Sequence, residues 1–562
     1  MLIKKELQAT QLPEEIQKLI RRIARRTRLR RSEQLDVARE LVSHFEDALA
    51  SGESTSAVIT AYGNEKTAAK LLRSACKRKR WWVELAFVKS MKFAAVMFGC
   101  FLVVYMVLVL LALQRKPNIA VDYVAKLNET AAAVPEDERA WPLYRAASIV
   151  LNENNEPSPE VDGRPVYPTW VGDAGWEEYA VWLDVHQETL PLILQGTKKQ
   201  GMGFIVGGKI SEEDKELWPD AYEKSQTNFS DHMINVLYPQ LVHLRRMARL
   251  LRFDAIEAAA QGDGSRCFQD LEALLRLATH TREHSTLIND LVSLSIYRMT
   301  FQTIGLIVER TPEVLSPEIS ALRQHLSDLD EELKVRFDGE RLYILDLLQR
   351  TFTDDGNGDG VLVPGKLLEA MSLSHDATGQ VNPQPTASFL LAPIGDVLIA
   401  SRKELLDHHD DFLALMYEVR DDPLYAWGDE LSEYSSQLVV RTAKRYLNKY
   451  YPVDLLIPAL DSALLQSKYA AANRDGLLAT LFAIEQHQAS GKWPLDLAEA
   501  GVVDPWNDEP WKITIVNEQP VIYSVGNDGD DDGGRHVFGA MEWHGIPTSI
   551  PDGDWVVWPN PE

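Results

Sequence analysis

The chain has 562 residues, with 58 Lys and Arg against 83 Asp and Glu, a formal net charge of −25, and three cysteines. That length allows several domains, the acidic excess speaks against nucleic acid as a partner, and thiols as far apart as Cys76, Cys100 and Cys267 exclude a disulfide-stapled fold. The charge is also polarised: residues 1–92 hold 20 basic and 11 acidic side chains, and the remainder holds 38 and 72.

Residues 1–80 predict a cytoplasmic three-helix module, from three amphipathic stretches: LPEEIQKLIRRIARRTRL, QLDVARELVSHFEDALASG and TSAVITAYGNEKTAAKLLRSA. In the second, Leu35, Val37, Ala38, Leu41, Phe45 and Leu49 recur at helical spacing before Gly52. In the third, Ser54-Thr55-Ser56 supplies N-cap chemistry and Gly63-Asn64 interrupts the pattern. From about Ser32 to Ser74 the chain, through Glu40, His44, Phe45, Asp47, Gly52 and Gly63, resembles the HAAS-type helical module of bacterial membrane proteins. The resemblance implies a signalling module with a cytoplasmic protein partner. Seven arginines between Arg21 and Arg31 read mainly as a solvated, topogenic face, with anionic inner-leaflet lipid as the alternative.

Residues 81–92 form a juxtamembrane basic and aromatic segment. Phe93–Leu113 then runs 21 residues without a charge, roughly 31 Å as a helix, about the thickness of a bilayer's hydrocarbon core. Lys77, Arg78, Lys79, Arg80, Lys89 and Lys92 precede it and only Arg115 and Lys116 follow closely, so the positive-inside bias puts the N-terminus in the cytoplasm. The expectation is an uncleaved single-pass anchor in the bacterial inner membrane, with the C-terminal part exported. Gly99 has Val103 four residues on, so a G-x-x-x-G dimer face is absent.

Residues 117–473 predict a large exported α-helical domain. Leu244, Met247, Ala248, Leu251, Ala255 and Ala258 form one stripe, Gly262-Asp263-Gly264 breaks it, and Phe268, Leu271, Leu275 and Ala278 resume it as a helical hairpin. The hairpin looks like a tetratricopeptide unit, without a recurring period. Further long helices are expected at 287–309, 317–337 and 431–451, and loops at Glu156–Thr169 and Ser374–Pro393. Residues 474–562 predict a small α+β domain, with KITIV and VIYSV as strands. The fold class is thus mainly α with a small α+β terminus. From Leu477 to Gly534, a helix, Gly-x-Trp-Pro, Asp-Pro-Trp, two strands and Tyr-Ser-x-Gly-x-Asp-Gly resemble the globular domain of type II secretion major pseudopilins. Lys89-Ser90-Met91-Lys92 lacks a pilin processing site, so the implied relation is a borrowed domain whose acidic loop holds calcium.

Two loops carry metal-like spacing. Asp355, Asn357, Asp359 and Gly360 match EF-hand positions 1, 3, 5 and 6, but Lys366 stands at position 12, leaving Glu369 or Asp354 to complete a weak calcium site. The alternative is a plain Asp/Gly-rich turn. Asp528, Asp530 and Asp532 repeat the spacing in a loop that either binds calcium, as a structural ion, or is a hydrated hairpin. His280-Thr-Arg-Glu283-His284 matches the inverted zinc-peptidase motif, and packing histidines explain it better. Asp407-His408-His409-Asp410-Asp411 reads as a charged, solvated helical turn. Ser74-Ala-Cys-Lys77 fits S-x-x-K by letters alone, on the cytoplasmic side, and the Trp-Pro pairs at Trp141, Trp218, Trp493 and Trp558 read as corner packing. No Walker loop, G-x-S-x-G elbow, C-x-x-C or dinucleotide fingerprint is present. The reading is a membrane-anchored interaction or signalling-type protein rather than an enzyme. Its alternatives are an exported zinc hydrolase or a purely structural envelope protein.

Overall fold

The computed structural model describes residues 2–79, 82–161, 164–165, 167–227, 232–367, 369, 385–422, 449–454, 460–526, 528–537 and 553–559. The chain divides into two units, Met1–Val107 and Leu108–Glu562. It is mainly α-helical with a small C-terminal sheet.

The first unit contains α1 (Leu2–Gln8), α2 (Glu14–Arg26), α3 (Arg31–Ala50), α4 (Thr55–Tyr62) and α5 (Glu65–Lys79). Ile16, Leu19, Ile20 and Ile23 recur at helical spacing on α2 and are buried with Val37, Leu41 and Phe45 of α3. Five helices therefore stand in a module where three were expected, α1 lying before the first amphipathic stretch. The third stretch is split because Gly63 takes φ +76° after α4, and Asn64 Oδ1 accepts from Lys66 N to open α5. Two arginines of the basic run are engaged: Arg22 and Arg26 both pair with Glu65, at 2.9 and 2.5 Å.

Among the described residues, two helices are long and apolar enough to cross a membrane, and they differ in burial. Within α6 (Trp82–Ala112), the span Lys89–Ala112 contains an 18-residue stretch of mean hydropathy 2.8 that is 6% buried, so Phe93, Phe98, Phe101 and Val103 stand open. The other, Leu287–Arg310, contains an 18-residue stretch of mean hydropathy 1.4 that is 67% buried, as expected of a core helix.

The second unit opens with α7 (Tyr123–Leu127), α8 (Glu129–Ala133), α9 (Trp141–Glu153), a two-residue ladder of β1 (Glu160–Val161) and β2 (Arg164–Pro165), α10 (Trp176–Val185), α11 (Leu190–Thr197) and α12 (Pro219–Thr227). Its centre is α13 (Gln240–Ala260), α14 (Gly264–Thr281) and α15 (Leu287–Arg310), packed on one another. The hairpin stripe from Leu244 to Ala258 is wholly buried, and the turn is capped as its sequence requires, with Gly262 at φ +78° and Asp263 Oδ1 accepting from Arg266 N. Next come α16 (Ile319–Ser327), α17 (Asp338–Thr351), α18 (Pro385–Leu398), α19 (Arg402–Asp421), α20 (Tyr451–Asp454) and α21 (Leu460–Ser490).

Three expectations change here. The helix expected over 317–337 stops at Ser327, because Asp328, Asp330, Glu331 and Glu332 would crowd carboxylates at the negative end of its dipole. The loop expected at Ser374–Pro393 contains the start of α18, and its first part, like nearly all of the helix expected at 431–451, lies outside the described residues. The boundary expected at 473/474 falls inside α21, which packs on α15 and α16 and also on the sheet.

That sheet has the order β3 (Lys512–Val516), β4 (Gln519–Ser524), β5 (Trp555–Trp558), antiparallel throughout. Asn517 and Glu518, at φ 51° and 68°, form the two-residue turn that matches strand twist. Gly476 lets the sheet approach α21, since a Cβ there would lie 2.8 Å from Val557 and 3.0 Å from Trp511. The tryptophans of the Trp-Pro pairs meet two by two, Trp141 stacking on Trp218 at 5.8 Å and Trp493 meeting Trp558 tilted at 6.1 Å.

Candidate metal centre

The loop after β4 turns its odd acidic residue one way and the others the opposite way. Asp531 Oδ1 accepts from Tyr523 Oη at 2.9 Å and Gly533 N at 3.0 Å, and Lys512 Nζ lies 3.4 Å from its Oδ2. Gly529 and Gly533, at φ +77° and +70°, provide the left-handed turns that free the alternate carboxylates. Asp528, Asp530 and Asp532 each place a carboxylate oxygen within 4.8 Å of the other two. Among the described residues they are the one group of three or more His, Cys, Asp or Glu side chains so placed.

A second segment closes over this loop. Gly553 N donates to Asp528 Oδ2 at 2.6 Å, Gly534 N donates to Asp554 Oδ2 at 2.7 Å, and Asp554 N donates to Arg535 O at 3.0 Å. Asp554 is fully buried, and its carboxyl is held above the usual range by burial and by the neighbouring negative charges of Asp531 and Asp532. Three buried oxygens, Asp528 Oδ1, Asp532 Oδ2 and Asp554 Oδ1, accept no hydrogen bond among the described residues. Buried acceptors normally find a donor or a cation. The donor set is all oxygen, which suits a hard cation such as calcium and not zinc or copper. Asp554 was missing from the sequence-based candidates because it lies far along the chain, although Asp552-Gly553-Asp554 repeats the Asp-Gly-Asp of 528–530.

The loop holding Asp355, Asn357 and Asp359 is organised by protein contacts. Asp355 Oδ1 accepts from Asn357 N and Asp359 N, while Asp359 Oδ1 accepts from Gly360 N and from Lys403 N at the start of α19. Asp354 pairs with Arg402 at 2.6 Å and Glu369 with Lys366 at 2.7 Å, so both candidates for the missing twelfth ligand carry a cationic partner. Hydrogen bonds from Ser401 and backbone N–H groups hold Asp359 below the usual carboxylate range, as befits a helix-capping anion.

The 280–284 residues do not share a helix face, because α14 ends at Thr281. His280 Nε2 donates to Lys199 O at 3.0 Å, which leaves Nδ1 to accept from Tyr144 Oη at 2.8 Å. His284 Nε2 lies 3.2 Å from Asn128 Oδ1, and Glu283 accepts from Gly203 N at 2.8 Å, bracing a backbone loop. These three side chains tie the end of α14 and the turn after it to separate segments. Burial pushes both imidazoles down to about 4. Between 6.5 and that value the unfolded chain binds more protons than the native one, so this contribution to stability falls as pH falls through the window. His280→Gln is therefore expected to lose stability at about pH 7, with its deficit relative to the parent shrinking by up to roughly 3 kcal/mol near pH 4. Urea unfolding of both proteins across this range measures it, and a constant deficit contradicts the neutral imidazole.

The turn at 407–411 is not the solvated one expected. His409 is buried, His408 Nε2 lies 2.9 Å from Asp454 Oδ1 while stacking on Tyr450, and Asp410 forms a two-pronged pair with Arg341. Helix periodicity sends neighbouring side chains in different directions, so His408, His409 and Asp410 meet separate neighbours while Asp407 and Asp411 are exposed.

Comparison with family models, with curated proteins and with solved structures gives no match for this chain.

Proposed function

We propose that this is a single-pass, membrane-anchored interaction protein, with its N-terminal helical module in the cytoplasm and its large helical unit exported. The observation that carries the reading is α6, whose segment Lys89–Ala112 is apolar and almost unburied by protein, so that lipid is the solvent it suits. The basic residues on its N-terminal side support the orientation. In the exported unit, long helices tie up the sequence's candidate catalytic side chains in packing contacts, which favours a binding scaffold over a hydrolase. Calcium at Asp528, Asp530 and Asp532, with Asp554 beneath, would neutralise the loop and fasten the C-terminal segment to it, a structural role. The likeness to the HAAS-type module favours a cytoplasmic protein partner.

Alkaline carbonate washing and protease protection test the anchor and its direction. The protein is expected to stay with membranes at alkaline pH, and trypsin added to intact spheroplasts is expected to remove the C-terminal unit while sparing the residues before Phe93. Release by carbonate, or protection of the C-terminal unit, overturns the reading.

A further inference from the structure

The end of α6 is tied to α18 by a contact that the anchor itself does not require. Arg115, three residues beyond Ala112, donates from both terminal nitrogens to the two oxygens of Asp396, each at 2.6 Å. The same guanidinium donates to Leu362 O at 3.1 Å. The fork is about four-fifths shielded from water, with side-chain exposures of 19% and 24%, and its two-pronged geometry fixes direction as well as distance. Val109 and Ala112, in the last turn of α6, are also buried.

The segments joined at Arg115 are apolar where they meet solvent. On α18, Ile394 is 44%, Val397 82% and Leu398 47% exposed, a run at i, i+3 and i+4, while Ala392 is buried and Asp396 turns to Arg115. Leu390, one turn earlier, is also exposed, as are Ile119 and Val361, the latter next to the carbonyl that Arg115 holds. Among the described side chains of this helix, Ala392 and Asp396 thus face the protein while Leu390, Ile394, Val397 and Leu398 face outward, the reverse of a soluble surface helix.

We infer that α18 is an interfacial helix lying in the outer leaflet beside α6, with Ile394, Val397 and Leu398 inserted among lipid headgroups and upper acyl chains. The inference rests on the proposed anchoring, because the end of the apolar helix is what places Arg115, and hence α18, at the membrane surface. At about 100° per residue, Ile394 and Leu398 stand nearly opposite Asp396 and Val397 about a right angle from it, so an Arg115 that grips α18 from its aqueous side leaves the apolar run directed at the bilayer. An interfacial helix of this kind buries its apolar face to the headgroup and acyl boundary without spanning. The arrangement gives the exported unit a second point of membrane contact, which holds it at one orientation to the surface.

The full chain, reconstituted in vesicles of dioleoylphosphatidylcholine with a minority of phosphatidylglycerol, tests this with an environment-sensitive fluorophore. One preparation carries it on Val397→Cys with Cys76 and Cys100 replaced by serine; a second carries it on native Cys100 with Cys76 replaced. Cys267 is buried in both, and burial pushes its thiol up to about 12, so it stays unlabelled. The expected result is blue-shifted emission at both positions, with Val397→Cys quenched by phosphatidylcholine brominated near the glycerol and Cys100 by phosphatidylcholine brominated near the chain end. Lipid quenching at Cys100 with water-like, iodide-quenched emission at Val397→Cys overturns the interfacial helix and leaves the anchor standing. Shielding of Val397→Cys from iodide without lipid quenching also overturns it, since a second copy or another protein then covers the face. Absence of lipid quenching at Cys100 overturns the anchor, and this inference with it.

Discussion

Replacing Asp290 with alanine is expected to destabilise the C-terminal unit by about 3–5 kcal/mol, the cost of breaking a buried ion pair from one side. Asp290 is 1% exposed near the start of α15 and accepts from Arg336 N at 2.8 Å and Arg336 Nη2 at 2.5 Å, with Arg282 Nε 3.4 Å from Oδ1. Arg282 is itself buried and reaches the carbonyls of Glu331 and Lys334, while Arg336 reaches that of Arg282. One carboxylate therefore balances two guanidiniums at the place where α14, α15 and the segment before α17 converge. Removing it leaves positive charge without a counterion in a poorly solvated site, a larger penalty than the pair's net worth when intact. Thermal or urea unfolding of the full protein in detergent measures the loss. A change within about 0.5 kcal/mol, typical of a surface site, contradicts the hub.

Calcium is expected to stabilise the protein through the loop at 528–534, and the sign of one substitution is expected to depend on the ion. With calcium at about a hundred times its dissociation constant, binding to the native state adds about 2.7 kcal/mol, which chelation removes. Asp530 is the exposed member of the cluster, so Asp530→Asn disturbs little packing. Under chelator the variant is expected to match or exceed the parent, because one of several crowded negative charges is gone. In calcium it is expected to fall below the parent by most of the ion's contribution. Calorimetry with calcium, with magnesium and with chelator separates these cases. A parent whose melting ignores calcium refutes the ion, and equal deficits for the variant in calcium and chelator place any calcium elsewhere.

Much of the helical architecture was legible in the sequence, wherever one face of a segment has one fate. The stripe from Leu244 to Ala258 and the Gly262-Asp263-Gly264 break map onto α13, the turn and α14 because burial and capping there are local consequences of residue order. KITIV coincides with β3, and the second strand needed only its turn residues, Asn517 and Glu518, to be placed. Other features were hidden because they depend on partners far along the chain. The helical start at Pro385 lies where proline and glycine predict a loop, and β5 is too short to announce itself before pairing with β4.

For the candidate site, Asp528, Asp530 and Asp532 could be named from alternation within one loop, since every second side chain of an extended or turning segment faces the same way. Asp554, with its buried oxygen, could not, because its place beneath the loop depends on β5 pairing back onto β4. The same distinction separates His280, Glu283 and His284, alike in sequence to a zinc motif, from the three unrelated contacts they make. The apolar run at Phe93–Leu113, the basic and acidic halves and the helical periodicities follow from sequence alone, because hydrophobicity, charge and short-range spacing are properties of neighbours in the chain. Which apolar helix is wrapped by protein and which stands open, which carboxylates converge, and that Arg115 grips α18 were decided only by tertiary structure, because each joins residues that the chain itself keeps apart.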